Sequence, residues 1–91
     1  MPDEETIRAG ARKIGQSYVD LLNQNSELDI ETLKSKYREW SNEAFVKLDK
    51  YLDSDEGTKD DSLRTNIAEE VLTRTILRQY NAILAKKGVK I

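Results

Sequence analysis

The chain has 91 residues and a net charge of −2, and it contains neither cysteine nor histidine. Without cysteine there is no disulfide framework and no thiolate chemistry. Without histidine the chain lacks the commonest metal ligand and the commonest general base near neutral pH. A chain of this length forms one domain, so we treat residues 1–91 as a single unit.

The first predicted helix spans about residues 3–23, and Asp3 can cap its start. Its apolar residues recur at spacings of four and three, which is typical of a seam that packs against another helix. The seam consists of Ile7, Ala11, Ile14, Tyr18 and Leu21. Ala11 and Gly15, four residues apart, indicate a place where a neighbouring backbone or a bulky ring comes close.

The second predicted helix spans about residues 29–53. Asp29 is the expected cap, and Leu28 and Leu33 occupy the two positions of a hydrophobic staple. Trp40 lies in the middle of the apolar stripe, where we expect it to anchor the core. The stripe comprises Ile30, Leu33, Tyr37, Trp40, Ala44, Leu48 and Tyr51.

The third predicted helix spans about residues 60–87. It ends at Gly88, a glycine suited to a left-handed cap, and Val89 is expected to fold back toward Leu84. At about 100° per residue, one face of this helix carries a complete apolar stripe. That stripe consists of Ala68, Leu72, Ile76, Tyr80 and Ile83.

Three helices of similar length, joined by two short connections, predict an all-α fold. Neighbours in such a chain run in opposite directions, so we expect an antiparallel up-down-up three-helix bundle. No segment is long and apolar enough to span a membrane, and the first residues are acidic, unlike a signal peptide. We therefore expect a soluble, cytoplasmic protein.

A second apolar line follows the third helix, and it is the predicted partner-binding site. Two interpretations are open. The first two helices bury the apolar residues if the third helix is central or bent. Otherwise they form an exposed groove or ridge for another helix or a second copy of this chain. In that case the arginines would set orientation by pairing with carboxylates. The line consists of Leu63, Ile67, Val71, Arg74 and Arg78.

Charge is divided unevenly along the chain. Residues 1–62 hold nine Lys/Arg and fifteen Asp/Glu, a net charge of −6, whereas residues 63–91 hold six and two, a net charge of +4. The basic third helix either lies against two acidic helices or presents a basic face to an anionic partner. The second possibility gives the alternative of a nucleic-acid accessory protein. Its candidate cations are Arg74, Arg78, Lys86, Lys87 and Lys90.

Catalytic sets, phosphate loops and metal-binding spacings do not occur in the sequence, so we predict no enzyme activity, no cofactor, no metal and no small-molecule substrate. The sequence favours a protein–protein interaction module or a small regulatory or inhibitor protein. In size and helical pattern the chain is also similar to small immunity proteins that protect bacteria from their own pore-forming peptides. Those proteins usually have a fourth helix and are often basic, and this chain has neither feature.

Overall fold

The structure is a computed structural model that describes residues 4–53 and 62–89, with side chains described from residue 65 onward in the last segment. It consists of three α-helices, α1 (Glu4–Gln24), α2 (Ile30–Asp53) and α3 (Ser62–Lys86). Within the described residues no strand occurs, so the predicted all-α three-helix fold is confirmed. The predicted cap Asp3, the side chain of Leu63 and Lys90 lie outside the described residues.

The buried face of α1 is rotated from the predicted seam. Ile7, Ala11 and Tyr18 are buried as expected. At the other two seam positions, Ile14 and Leu21, the predicted residues are only half-buried. The residues that follow them, Gly15 and Leu22, are buried instead. The buried residues of α1 therefore recur closer to the 3.6-residue repeat of a straight helix than to the 3.5-residue repeat of a heptad.

The start of α2 follows the predicted capping arrangement. The Thr32 backbone N–H donates a hydrogen bond of 2.7 Å to the Asp29 carboxylate. This bond holds the pKa of the Asp29 carboxyl below its ordinary value, and the Lys87 charge adds to the effect. Leu33 is fully buried and Leu28 packs against the same core, so both staple positions are occupied.

The stripe of α2 is buried less completely than the sequence predicts. Leu33, Ala44 and Leu48 are fully buried, whereas Trp40 only packs against the edge of the core. Ile30, at the first position of the stripe, is 41% exposed, and Leu52, off the predicted stripe, is 3% exposed.

The core face of α3 agrees with the sequence. All five residues of its predicted stripe are buried, and Leu84 joins them. The helix ends as predicted: Gly88 has a φ of +87°, and the Val89 N–H donates a 3.0 Å hydrogen bond to the Leu84 carbonyl. The Gly88 N–H donates to the Ala85 carbonyl at 3.1 Å, which completes a Schellman closure.

Contacts between the helices define the direction of each one. The Tyr51 hydroxyl, near the end of α2, donates a 3.4 Å hydrogen bond to the Thr6 carbonyl, near the start of α1. The Gln79 side-chain amide, in the second half of α3, donates a 2.6 Å hydrogen bond to the Asn23 side-chain oxygen, near the end of α1. Thus α1 and α2 are antiparallel, α1 and α3 are parallel, and the chain runs up, down and up.

The pairing of α2 with α3 is marked by two stacked tyrosines. The rings of Tyr37, early in α2, and Tyr80, late in α3, have centroids 4.0 Å apart and planes inclined by 7°. Burial raises the pKa of the Tyr80 hydroxyl, and the neighbouring Tyr37 raises it further. The contact between the early part of one helix and the late part of the other agrees with antiparallel packing.

Close approach of α1 and α3 depends on Gly15, and these two helices form the most extensive helix contact in the described chain. A Cβ atom at Gly15 would lie 2.9 Å from Cγ2 of Thr75 and 3.3 Å from Cδ1 of Leu72. The predicted close approach therefore occurs, although aliphatic side chains of α3 make it rather than a ring. A ring does meet Gly10, where an added Cβ would lie 2.5 Å from the Tyr51 hydroxyl oxygen.

Replacing Gly15 with alanine is expected to lower the free energy of unfolding by about 1 kcal/mol. Alanine gains about 1 kcal/mol of helix propensity over glycine, and overpacking of a core typically costs about 1–3 kcal/mol. The new methyl group would meet Cβ of Thr75 at 3.1 Å. Because that atom is fixed to the α3 backbone, the contact is relieved only if the helices separate. Urea denaturation measures the change.

Thr75→Ala provides the matched background, because it removes the methyl group that Gly15→Ala would meet first. In a double-mutant cycle, Gly15→Ala should cost less in the Thr75→Ala protein than in the wild-type protein. A gain in stability from Gly15→Ala alone, or strictly additive effects, would show that α1 and α3 do not need a glycine here.

Candidate functional site

An open groove runs between α1 and α3, and the described residues that line it all belong to these two helices. Its wider part has a volume of about 440 Å³, and a contiguous part of about 290 Å³ continues it toward the C-terminal ends. Arg12, Thr75 and Arg78 line both parts, so we treat them as one surface, the arginine groove. Its lining comprises Glu5, Arg8, Arg12, Gln16, Val19, Val71, Arg74, Thr75, Arg78 and Gln79.

Four arginines dominate the groove, and each helix contributes two of them. Arg8 and Arg12 lie four residues apart on α1, and Arg74 and Arg78 lie four residues apart on α3. Residues at this spacing share one side of a helix, so each pair forms a short basic ridge. Parallel packing of α1 on α3 brings the two ridges to the same opening. Glu5 is the one acidic residue among the described residues that line it.

The four arginines differ in their own partners. The Arg8 guanidinium donates to the Glu4 carboxylate at 2.7 and 2.9 Å, and Arg74 pairs with Glu70 at 2.6 Å. Among the described residues, neither Arg12 nor Arg78 has a carboxylate within ion-pair distance; Nε of Arg12 donates a weak 3.4 Å hydrogen bond to the Arg8 carbonyl. Two cations that line both parts of the groove therefore lack an anion among the described residues.

Aliphatic groups form the floor between the arginines. Val19 is buried, and Val71 is half-buried and packs against the core. The Thr75 hydroxyl donates a 2.7 Å hydrogen bond to the Val71 carbonyl, so its donor is already used within α3. At the far end, the bond between Gln79 and Asn23 joins the two helices. The groove combines an apolar floor with charged walls.

The residues of the predicted partner-binding line are only partly brought together. Arg74, Arg78 and Val71 line the groove. Ile67 is half-buried and does not line it, and the side chain of Leu63 lies outside the described residues. For the described apolar members, Ile67 and Val71, the line is therefore intermediate between the fully buried and the fully exposed alternatives.

Sequence reasoning missed the contribution of α1. Arg8 and Arg12 lie four residues apart and off the apolar seam, and that spacing alone indicates a basic ridge. What it could not indicate is which helix lies beside that ridge. Each of the three described ion pairs, which include Lys36–Glu39, joins two residues of the same helix, and each helix has one of the three. The cations of α3 are thus not paired with acids of α1 or α2 in the described part of the chain.

Few chemical reactions are suggested by this set of groups. The described lining offers guanidinium groups and amides, which suit the binding of anions, and one carboxylate, which does not. Among the described residues, no group of three or more potential metal ligands is close enough to hold an ion. Within the same residues, no helix has both the length and the apolar character to cross a membrane.

Comparisons with family profiles, curated proteins and solved structures give no match.

Substituting glutamine for Arg12 or for Arg78 is expected to leave the fold intact and to raise stability slightly at low salt. Each residue has another arginine four positions earlier, and such like-charge pairs destabilise a helix by about 0.2–0.5 kcal/mol. Glutamine and arginine have similar helix propensities. Thermal denaturation at low and high salt checks this, since screening should abolish the gain.

Arg8→Gln is the control, because it also loses the ion pair with Glu4 and should bring no gain. The expectation fails if Arg12→Gln or Arg78→Gln lowers the free energy of unfolding by more than about 1 kcal/mol, a loss larger than exposed charges usually cause. That result would give the two arginines a structural role.

Proposed function

We propose that this protein is a non-enzymatic interaction module that binds an acidic segment of a protein partner in the arginine groove. The single observation that carries the proposal is the pair Arg12 and Arg78, two guanidinium groups that share an opening and lack a carboxylate among the described residues. Guanidinium groups bind carboxylates in a forked geometry that gives orientation as well as attraction. The partner would supply the missing anions.

The charges around the groove favour a protein over a nucleic acid. Glu5 lines the groove, and Glu4 and Glu70 flank it through their pairs with arginines. A phosphate backbone carries a negative charge at every residue and would meet these carboxylates, whereas a protein segment can place neutral or basic side chains opposite them. The aliphatic floor at Val71 also suits a protein side chain.

A small protein that binds its partner in a groove suits a regulatory or inhibitory role, and the lack of cysteine suits a reducing, cytoplasmic location. A nucleic-acid accessory is the second candidate, because the same four arginines could contact phosphates. The immunity-type alternative stays a prediction that rests on size and helical pattern.

An unstructured glutamate-rich peptide is expected to bind at low ionic strength, with an affinity that falls as salt is added. The double variant Arg12→Gln/Arg78→Gln should weaken binding about tenfold, which corresponds to roughly 1.4 kcal/mol. The matched control is Lys34→Gln/Arg38→Gln, which removes the same charge from exposed positions of α2 and should bind as the wild type does. Titration calorimetry measures all three proteins.

A single-stranded oligonucleotide of the same formal charge is measured in parallel. Tighter, groove-dependent binding of the oligonucleotide would replace the proposal with the nucleic-acid alternative. Two other results would also overturn it. One is the absence of peptide binding. The other is an equal loss in the groove variant and the control, which would reduce the effect to net charge.

The free protein is expected to be a monomer, because Ile67 and Val71 are already half-buried and leave little apolar surface for a second copy. Sedimentation equilibrium measures the mass of the wild type and of Ile67→Asp. Val46→Asp is the control, since Val46 is 54% exposed on α2 and away from the groove. A dimer that Ile67→Asp alone disperses would contradict this expectation and would place the contact between copies on α3 beside Ile67.

A further inference from the structure

The positions of the four arginines along the bundle define the shape of the partner. Gly15 lies at the level of Leu72 and Thr75, and Asn23 contacts Gln79. Parallel positions on α1 and α3 are therefore level when their numbers differ by roughly 58 at 1.5 Å per residue. By this register Arg74 and Arg78 are at about the heights of residues 16 and 20 of α1.

The arginines consequently form one ladder that crosses from α1 to α3. Arg8, Arg12, Arg74 and Arg78 follow one another at intervals of about four residues along the bundle axis, so neighbouring steps are about one helical turn apart. The whole ladder extends over roughly 18 Å at that rise. No two arginines of the ladder lie at the same height, so each can pair with a different charge of a partner whose charges form a linear row.

We infer that the occupant is an acidic amphipathic helix that lies along the arginine groove as a fourth helix and presents carboxylates at positions i, i+4, i+7 and i+11. This inference rests on the proposed function. Such a helix repeats its face once per turn, as the ladder does. Carboxylates two positions apart in the row would reach Arg12 and Arg78, and an aliphatic residue between them would cover Val71.

An extended segment fits the groove poorly, although it could also space its charges along the ladder. Both walls of the groove are helices whose backbone groups are already hydrogen-bonded within the helix. A strand laid between them would leave its covered N–H and C=O groups without partners, and each such group costs free energy. A helix satisfies its own backbone groups, and the groove between two helices accepts its side chains as ridges between ridges.

The described helices of a second copy do not offer the required row. None of Glu4–Gln24, Ile30–Asp53 and Ser62–Lys86 carries acidic residues at more than two successive positions of the pattern within its own bounds. The pairs that fill two positions are Glu39 with Glu43 and Asp49 with Asp53. A different protein is therefore the occupant that we propose.

Three synthetic peptides test the inference against the full chain. The in-phase peptide is helical, with glutamates at i, i+4, i+7 and i+11, aliphatic residues between them, and alanine and glutamine elsewhere. The out-of-phase peptide has the same composition and helicity, with its glutamates distributed around the helix. The third is the in-phase peptide with a central proline, which keeps the charges and breaks the helix. Circular dichroism establishes helicity before titration calorimetry.

The in-phase peptide is expected to bind about tenfold more tightly than either of the others, a difference of roughly 1.4 kcal/mol. Arg12→Gln/Arg78→Gln should remove that advantage, and Lys34→Gln/Arg38→Gln should keep it. Freeing the remaining arginines with Glu4→Gln/Glu70→Gln should strengthen binding of the in-phase peptide specifically.

Equal affinity for the in-phase and out-of-phase peptides, or for the in-phase and proline peptides, would overturn the inference of a helical partner. The proposed function would still stand in that case, provided that the unstructured glutamate-rich peptide binds through Arg12 and Arg78. If none of the acidic peptides binds, the proposed function and the inference are both wrong.

Discussion

The parallel packing of α1 on α3 at Gly15 determines how the rest of the surface is arranged. Without a side chain at this position, Leu72 and Thr75 lie directly against the α1 backbone. Two consequences follow from one contact. The apolar face of α3 reaches the core, and the two helix edges beside the contact become the walls of a shared groove. Neither helix could form that groove alone.

Parallel packing also decides which charges become neighbours. In an antiparallel pair, the basic residues near the start of α1 would meet the end of α3, where Lys86 and Lys87 lie. In the parallel pair, Arg12 and Arg78 line the same opening instead. Holding like charges together opposes folding, because none of the described acids is paired with them. A bundle that keeps such an arrangement without compensation within the described residues is suited to receive an anion from outside.

Local sequence patterns were sufficient for the features that depend on one segment. The core stripe of α3, the cap at Asp29 and the closure at Gly88 each follow from residues close together in the chain. The face of α1 was harder, since a heptad reading and a straight-helix reading differ by one residue at Ile14 and Gly15. Only half of the groove is predictable: the sequence predicts Arg74 and Arg78 on α3, but their neighbours on α1 depend on helix pairing, which no local pattern contains.

The difference between the arginines with and without a described carboxylate partner bears on how binding would be controlled. Arg8 and Arg74 each hold a carboxylate of their own helix one turn away, so a partner must compete for them. Arg12 and Arg78 would require no such exchange. Arg12 lies at the second step of the ladder, next to the first step on α3, and Arg78 lies at its far end. Since Val71 is already half-buried, the apolar floor adds little area. In the proposed complex, charge would therefore contribute most of the attraction, which would favour fast association, strong dependence on salt and discrimination by the position of carboxylates rather than by their number.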